Sequence, residues 1–309
     1  MSNSISFPKL PFIYDKVFEI DRIALSFGSF SIKWYGVILA LSFVIAAIYI
    51  MRRSRSFGAN PDTLVDMLLW TLPISVIGAR IYFVVHKWDY YSANPGEIYR
   101  IWNGGIAIYG AVIAGVVTIW LFCRRRRLDI LSMLDLCVLG LLIGQFIGRW
   151  ANFINAEAYG TVTGLPWGMS INGGEPVHPT FFYESFWNFI GFIALHFYSK
   201  RRRFRGEIFL LYIAWYGLGR AFIEGLRTDS LYIGSTDIRV SQVLAAISCV
   251  CAAGLLVYFH VSKKYPKEFA PAEAAPIAEK SVPEAEAAAE NAPAEESEKE
   301  GEADGGDNN

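Results

Sequence analysis

The sequence predicts an all-α integral membrane protein of seven transmembrane helices, with small loop and hairpin elements on its outer face. Three observations carry this reading. Of 309 residues, 53 % are apolar and 15 % aromatic, while only 18 % are charged; a soluble domain carries about 25 % charge. Apolar runs close to the ~20 residues needed to cross a bilayer recur along the chain. Clusters of Lys and Arg follow alternate runs, as expected where positive loops stay in the cytoplasm.

The net charge of −1 conceals two opposite segments. Residues 1–265 hold 25 Lys or Arg against 16 Asp or Glu, whereas residues 266–309 hold 3 against 13. A basic membrane body is therefore joined to an acidic tail. Residues 1–33 form an outer-face segment without the layout of a signal peptide. Within it Ile23, Leu25 and Phe27 alternate, Gly28-Ser29 supplies a turn, and Phe30 and Ile32 follow, which predicts a short hairpin.

The first span is the uncharged run Trp34–Met51, ending in Arg52, Arg53 and Arg55. Thr63–Val85 is the second, with Asp66 and Arg80 near its two ends. Ile101–Cys123 is the third and meets Arg124–Arg127. Leu131–Trp150 is the fourth, apolar apart from Asp135 and Arg149. Thr180–Ser199 contains only Glu184 and meets the basic residues 200–205. Ile208–Leu226 carries Arg220 and Glu224, and Val240–Ser262 meets Lys263, Lys264 and Lys267. The basic clusters follow spans one, three, five and seven, so the N-terminus is expected outside and the C-terminus in the cytoplasm. Residues 34–265 are then the seven-helix transmembrane domain. The tail from 266 repeats Ala, Glu and Pro and is expected to be disordered.

Cys123, Cys137, Cys249 and Cys251 sit in or beside apolar runs. Their spacing fits neither a disulfide framework nor a zinc site, so buried reduced thiols are expected. Gly140, Gly144 and Gly148 recur every four residues and suit close helix packing.

Ionisable residues within spans are costly and mark function by default. With this topology Arg80, Arg149, Glu184, Arg220, Glu224 and Arg227 all fall at the outer-leaflet level. Arg220 and Glu224 are four apart, so they form either a structural ion pair or part of a site. Asp66 and Asp135 lie at inner boundaries, where helix termini or solvent account for them. The richest segment is Gly148-Arg149-Trp150-Ala151-Asn152-Phe153-Ile154-Asn155-Ala156-Glu157-Ala158-Tyr159-Gly160. It concentrates a fixed cation, two amides and a carboxylate where a span meets the outside, and a guanidinium beside amide donors suits an anionic phosphate.

That segment resembles the signature Gly-Arg-x-(Gly/Ala)-Asn-Phe-x-Asn-x-Glu-x-x-Gly of the bacterial prolipoprotein diacylglyceryl transferases. Trp34-Tyr35-Gly36, Gly78-Ala79-Arg80, Trp102-Asn103-Gly104-Gly105, His178-Pro179 with Tyr183-Glu184, and Arg220, Glu224 and Arg227 agree in order. The resemblance covers about residues 20–265. It implies a transferase that moves the diacylglyceryl group of phosphatidylglycerol to the lipobox cysteine of preprolipoproteins at the outer face of the bacterial inner membrane. A thioether forms and glycerol phosphate is released. It further implies that Arg149 and Arg227 serve the phosphate region, while Asn152, Asn155 and Glu157 shape the headgroup site. Arg80, Tyr35, Glu224, His178, Tyr183 and Glu184 are further candidates. No metal and no cofactor are required.

One position departs from the family pattern. A His commonly follows the Gly-Gly turn before the third span, and Tyr109 stands there in this sequence. Either Tyr109 is a tuned base or hydrogen-bond donor, or no protein residue at this position takes the proton. Among rival classes, a CDP-alcohol-type phosphotransferase would need clustered Asp residues that the sequence lacks. A transporter or lipid-binding channel would spread polar residues through the membrane depth.

Overall fold

The computed structural model describes residues 2–14, 16–28, 30–228, 232, 236, 238–263 and 265. The acidic tail and its expected disorder lie outside the described residues. The chain is mostly helical. Its strands are β1 (Ser2–Ser6), β2 (Val17–Asp21), β3 (Ile23–Phe27), β4 (Phe30–Lys33) and β5 (Ser170–Ile171). Its helices are α1 (Trp34–Arg53), α2 (Pro61–His86), α3 (Trp88–Ala93), α4 (Ile108–Arg126), α5 (Ile130–Asn155), α6 (Thr180–Tyr198), α7 (Glu207–Glu224) and α8 (Val240–Ser262). Helices α1, α2, α4, α5 and α8 are long and apolar enough to cross a membrane. Polar residues set α6 and α7 apart: Glu184 and Asn188 interrupt the first, and Glu207, Arg220 and Glu224 the second.

Two boundaries differ from expectation for identifiable reasons. The third apolar run becomes helical only at Ile108, because Gly104 and Gly105 adopt φ of 87° and 78° after a 3-10 turn. The fourth helix runs five residues past Trp150 to Asn155, so most of the signature segment is helical. The expected hairpin forms, with Ile23 opposite Lys33 and Phe27 opposite Phe30, and Gly28 has φ 59°. An all-α description nevertheless omits an antiparallel sheet in the order β2-β1-β5. Strand β1 has the sequence Ser-Asn-Ser-Ile-Ser and β5 has only two residues, so neither shows an alternating apolar face. Ile5 anchors this sheet against Met169 and Phe181 in a small core, and the Asn3 amide donates to Ile154 O at 3.0 Å.

Helix α5 is the organising element. Leu136, Leu139 and Leu142 pack with Met67 of α2 and Ile208 of α7 in the main core. Its glycine stripe acts unevenly. A Cβ on Gly140 would fall 2.3 Å from Ile50 of α1, and one on Gly148 would lie 3.4 Å from Leu39, while Gly144 has open space. Of the cysteines, all four are free, Cys123 is buried and Cys251 is exposed, which amends the expectation of four buried thiols.

Among the described residues, basic clusters gather at one end of the helices. Arg53 donates to Ser199 Oγ at 3.0 Å, Arg202 donates to Ser56 O at 2.9 Å, and Arg205 pairs with Asp129 at 3.4 Å. At the same end Asp135 is fully buried and accepts the N–H groups of Gly206 and Phe209 at 2.9 and 2.8 Å, which caps the start of α7 from a neighbouring helix.

Candidate active site

The opposite ends of α5, α6 and α7 carry a different charge cluster. Arg149 lies two turns before the end of α5, Glu184 in the second turn of α6, and Arg220 in the last turns of α7. Glu184 is 4 % exposed and faces three arginines. Arg149 Nη2 is 2.5 Å from its Oε2, and Arg220 Nη1 and Arg227 Nη1 are each 3.2 Å from its Oε1. Arg220 also pairs with Glu224 at 2.7 Å. The other Glu224 oxygen accepts from Ser241 Oγ at 2.8 Å, and Arg239 donates to the Glu224 carbonyl. The Arg220–Glu224 pair therefore belongs to the wider cluster. The set joins three arginines to two glutamates, and buried ions need such mutual neutralisation.

The signature segment is held by its backbone. Ala156 N donates to Phe153 O and Glu157 N to Asn152 O, both at 3.0 Å, a Schellman closure of α5. Ala156 and Ala158 take φ of 50° and 55°, a left-handed conformation that costs a side-chain-bearing residue about 1–2 kcal/mol. Tertiary bonds hold the turn in place: Thr180 Oγ1 donates to Ala158 O, Gly160 N to His178 O at 2.9 Å, and Thr161 N to Leu226 O at 2.8 Å. Gly160 serves this junction by having no side chain rather than by turning. A Cβ there would meet His178 Cβ at 2.7 Å and Leu226 O at 2.9 Å. The last glycine of the segment thus sets the backbone beside Arg227.

Asn152 Nδ2 donates to Glu157 Oε1 at 3.0 Å, so two signature side chains hold each other at the exposed rim. Tyr35, in the first turn of α1, lies within electrostatic reach of Glu157 and Arg149. Asn155 is the last residue of α5 and is partly buried. Beyond the cluster, Trp167 Nε1 donates to the Tyr183 hydroxyl at 2.7 Å, and that hydroxyl lies 3.2 Å from His178 Nδ1. Burial lowers the His178 pKa, which favours a neutral ring accepting the Tyr183 proton.

A family model described as prolipoprotein diacylglyceryl transferase matches residues 22–258. The chain belongs to the prolipoprotein diacylglyceryl transferase family. Relatives named phosphatidylglycerol–prolipoprotein diacylglyceryl transferase include one from Finegoldia magna, 43 % identical over 79 % of this chain and 97 % of its own length. Another from Listeria monocytogenes serotype 4b is 44 % identical over 77 % and 90 %. One from Lysinibacillus sphaericus is 44 % identical over 80 % and 94 %.

Two residues that the resemblance brought forward lie apart from the charge cluster. The Arg80 guanidinium is turned to the 97–105 loop of this transferase-family chain. It donates to Ile98 O at 2.8 Å and to the carbonyls of Glu97, Gly104 and Gly105 at 2.7 Å each, with its charge over the Tyr91 ring. Tyr109 lies in the first turn of α4 with its ring 6.4 Å from Tyr82. Among the described residues, no hydrogen bond or ring contact joins Tyr109 to the arginines of the cluster.

Residue patterns did not bring forward the support behind the cluster. Trp187 Nε1 donates to Trp215 O at 3.0 Å and Trp215 Nε1 returns the bond to Trp187 O at 3.1 Å. The two rings stack at 4.3 Å. Each indole covers a glycine of the facing helix, Gly219 and Gly191, where a Cβ would fall 2.2–2.4 Å from the indole nitrogen. The repeated Trp-x-x-x-Gly spacing in α6 and α7 was the available signal.

Proposed function

We propose that this chain transfers the diacylglyceryl group of phosphatidylglycerol to the cysteine thiol of a preprolipoprotein, as its relatives are named for doing. The Arg149–Glu184–Arg227 constellation, where the signature segment, α6 and the residues just after α7 meet, is the observation that carries the reading. The thiolate sulfur attacks a glyceryl carbon, the carbon–oxygen bond to phosphate breaks, and glycerol phosphate leaves with the bonding electrons. Arg149 and Arg227 neutralise the charge gathering on the leaving phosphate. Glu184 and Glu224 hold the guanidinium groups in position before substrate arrives. Asn152, Asn155, Glu157 and Tyr35 shape the headgroup rim, and Arg80 acts by fixing the 97–105 loop.

The same proposal assigns seven spans, adding α6 and α7 to the five apolar helices, within a catalytic unit of residues 34–265. The N-terminus and the charge cluster lie at the outer face of the bacterial cytoplasmic membrane, and the basic clusters and acidic tail lie inside. The segregation of basic loops from the Arg–Glu cluster supports this orientation. Purified full-length protein in phosphatidylglycerol vesicles, mixed with a lipobox peptide, should yield an alkylated peptide and an equal amount of glycerol phosphate. Arg149→Ala should abolish both products; full activity in that variant would remove the central assignment.

A further inference from the structure

An aromatic cavity of about 470 Å³ adjoins the charge cluster, within the size range of small-ligand pockets. Its walls include Trp150 and Phe153 of α5, Phe181 and Phe182 of α6, and Leu10 and Trp167 from the segments beyond the helix ends. Every helical wall residue lies on the loop side of the cluster. On α5, Trp150 and Phe153 follow Arg149 toward the helix end; on α6, Phe181 and Phe182 precede Glu184 toward the helix start. With the proposed orientation the bilayer lies on the other side of Arg149, so acyl chains of a headgroup held there would extend away from this cavity. A polypeptide presenting its cysteine from beyond the membrane passes the loop side.

We infer that this cavity receives apolar side chains flanking the reacting cysteine of the polypeptide substrate. The inference rests on the transferase reading and assigns the second substrate its own subsite. The lining offers no charge, so recognition is by shape and apolar burial, with Trp150 and Phe182 as aromatic walls. Leu10 comes from the stretch after β1, which gives the N-terminal sheet a role in substrate recognition. The cavity wall requires the sheet to be docked, and Asn3 and Ile5 dock it.

The test uses the full chain in phosphatidylglycerol vesicles with two cysteine peptides, one carrying leucines beside the cysteine and one carrying serines there. Wild type should prefer the leucine peptide by at least about tenfold in kcat/KM, the scale expected for burying one aliphatic side chain. Leu10→Trp, which fills the cavity, and Phe182→Ala, which opens it, should each erase most of that preference. Their KM for phosphatidylglycerol should stay within about twofold and their thermal midpoints should stay near wild type. A raised lipid KM with peptide preference intact would overturn the inference in favour of an acyl chain. Unchanged preference and unchanged lipid KM in both variants would overturn it outright. Absence of transfer to either peptide by wild type would instead remove the underlying transferase reading.

Discussion

Arg149 of α5 and Glu184 of α6 meet at 2.5 Å, and the same carboxylate faces Arg220 and Arg227 of the adjoining chain segment. One buried anion therefore sets the positions of three cations. Removing one partner from a buried charge set costs about 3–5 kcal/mol. Glu184→Gln is expected to lower thermal stability and to reduce transfer at least about 100-fold, because the arginines repel one another without it. Arg149→Lys keeps the charge but loses the planar fork, and should also lose about 100-fold in kcat with the fold intact. Circular dichroism melts beside the peptide assay separate the two outcomes.

The Trp187–Trp215 clasp fixes how α6 meets α7, one turn from Glu184 and Arg220. Hydrogen bonds between helices in a membrane are worth about 0.6–2 kcal/mol each. Trp187→Phe should keep most of the stacking, lose one bond, and cost about 1 kcal/mol with a several-fold fall in kcat. Gly219→Ala should be worse than either Trp→Phe change, since its methyl would occupy the indole's place. A melt and a kcat for Gly219→Ala equal to wild type would contradict this packing account.

The helical architecture was largely legible because lipid demands long apolar runs. The signature segment was legible because no lipid-facing helix end tolerates an arginine, two amides and a carboxylate without a use for them. What escaped has a physical reason in each case. Strand β1 pairs with β5 across more than 160 residues and carries one large apolar residue, Ile5, so no local period announces it. The direction of Arg80 depends on five loop carbonyls, and backbone acceptors leave no mark on composition. The clasp depends on two Trp-x-x-x-Gly pairs meeting in space, which neither pair shows alone.

Gly160 offers a sharp steric test. Its backbone lies against both His178 and Leu226 O, so Gly160→Ala must push apart the two segments that carry His178 and Arg227. Overpacking of this kind costs about 1–3 kcal/mol. Activity should fall more than stability, because the displaced backbone bears Arg227, which the proposed function sets against the leaving phosphate. A variant with lowered melting temperature but unchanged kcat would show that Arg227 is positioned by its ion pairs alone.

His178 supplies a pH dependence whose sign is fixed by its environment. Burial lowers its folded pKa below the ordinary value of about 6.5, so the folded state disfavours the proton. The stability it contributes is fully present above that ordinary value and is lost as pH falls from about 6.5 through the lowered folded value. His178→Gln should flatten this acidic slope in a thermal-melt series, while the wild type loses stability over that window.

Tyr109 stands where relatives of the resembled family commonly carry His, and its placement favours one of the two readings of its role. Its ring neighbours Tyr82 at 6.4 Å on the α2–α4 side, whereas the leaving phosphate is assigned to the α5–α6–α7 side. A free thiol with a pKa near 8.5 is already a few per cent thiolate at pH 7, so the nucleophile needs only modest help from a positive site. Tyr109→Phe removes the only ionisable atom and keeps the ring against Tyr82. Transfer should remain within about threefold of wild type, and kcat/KM should rise with pH toward about 8.5 in both proteins, following the substrate thiol. A loss of about 100-fold with a flattened pH profile in the Phe variant would instead make the phenol the proton acceptor.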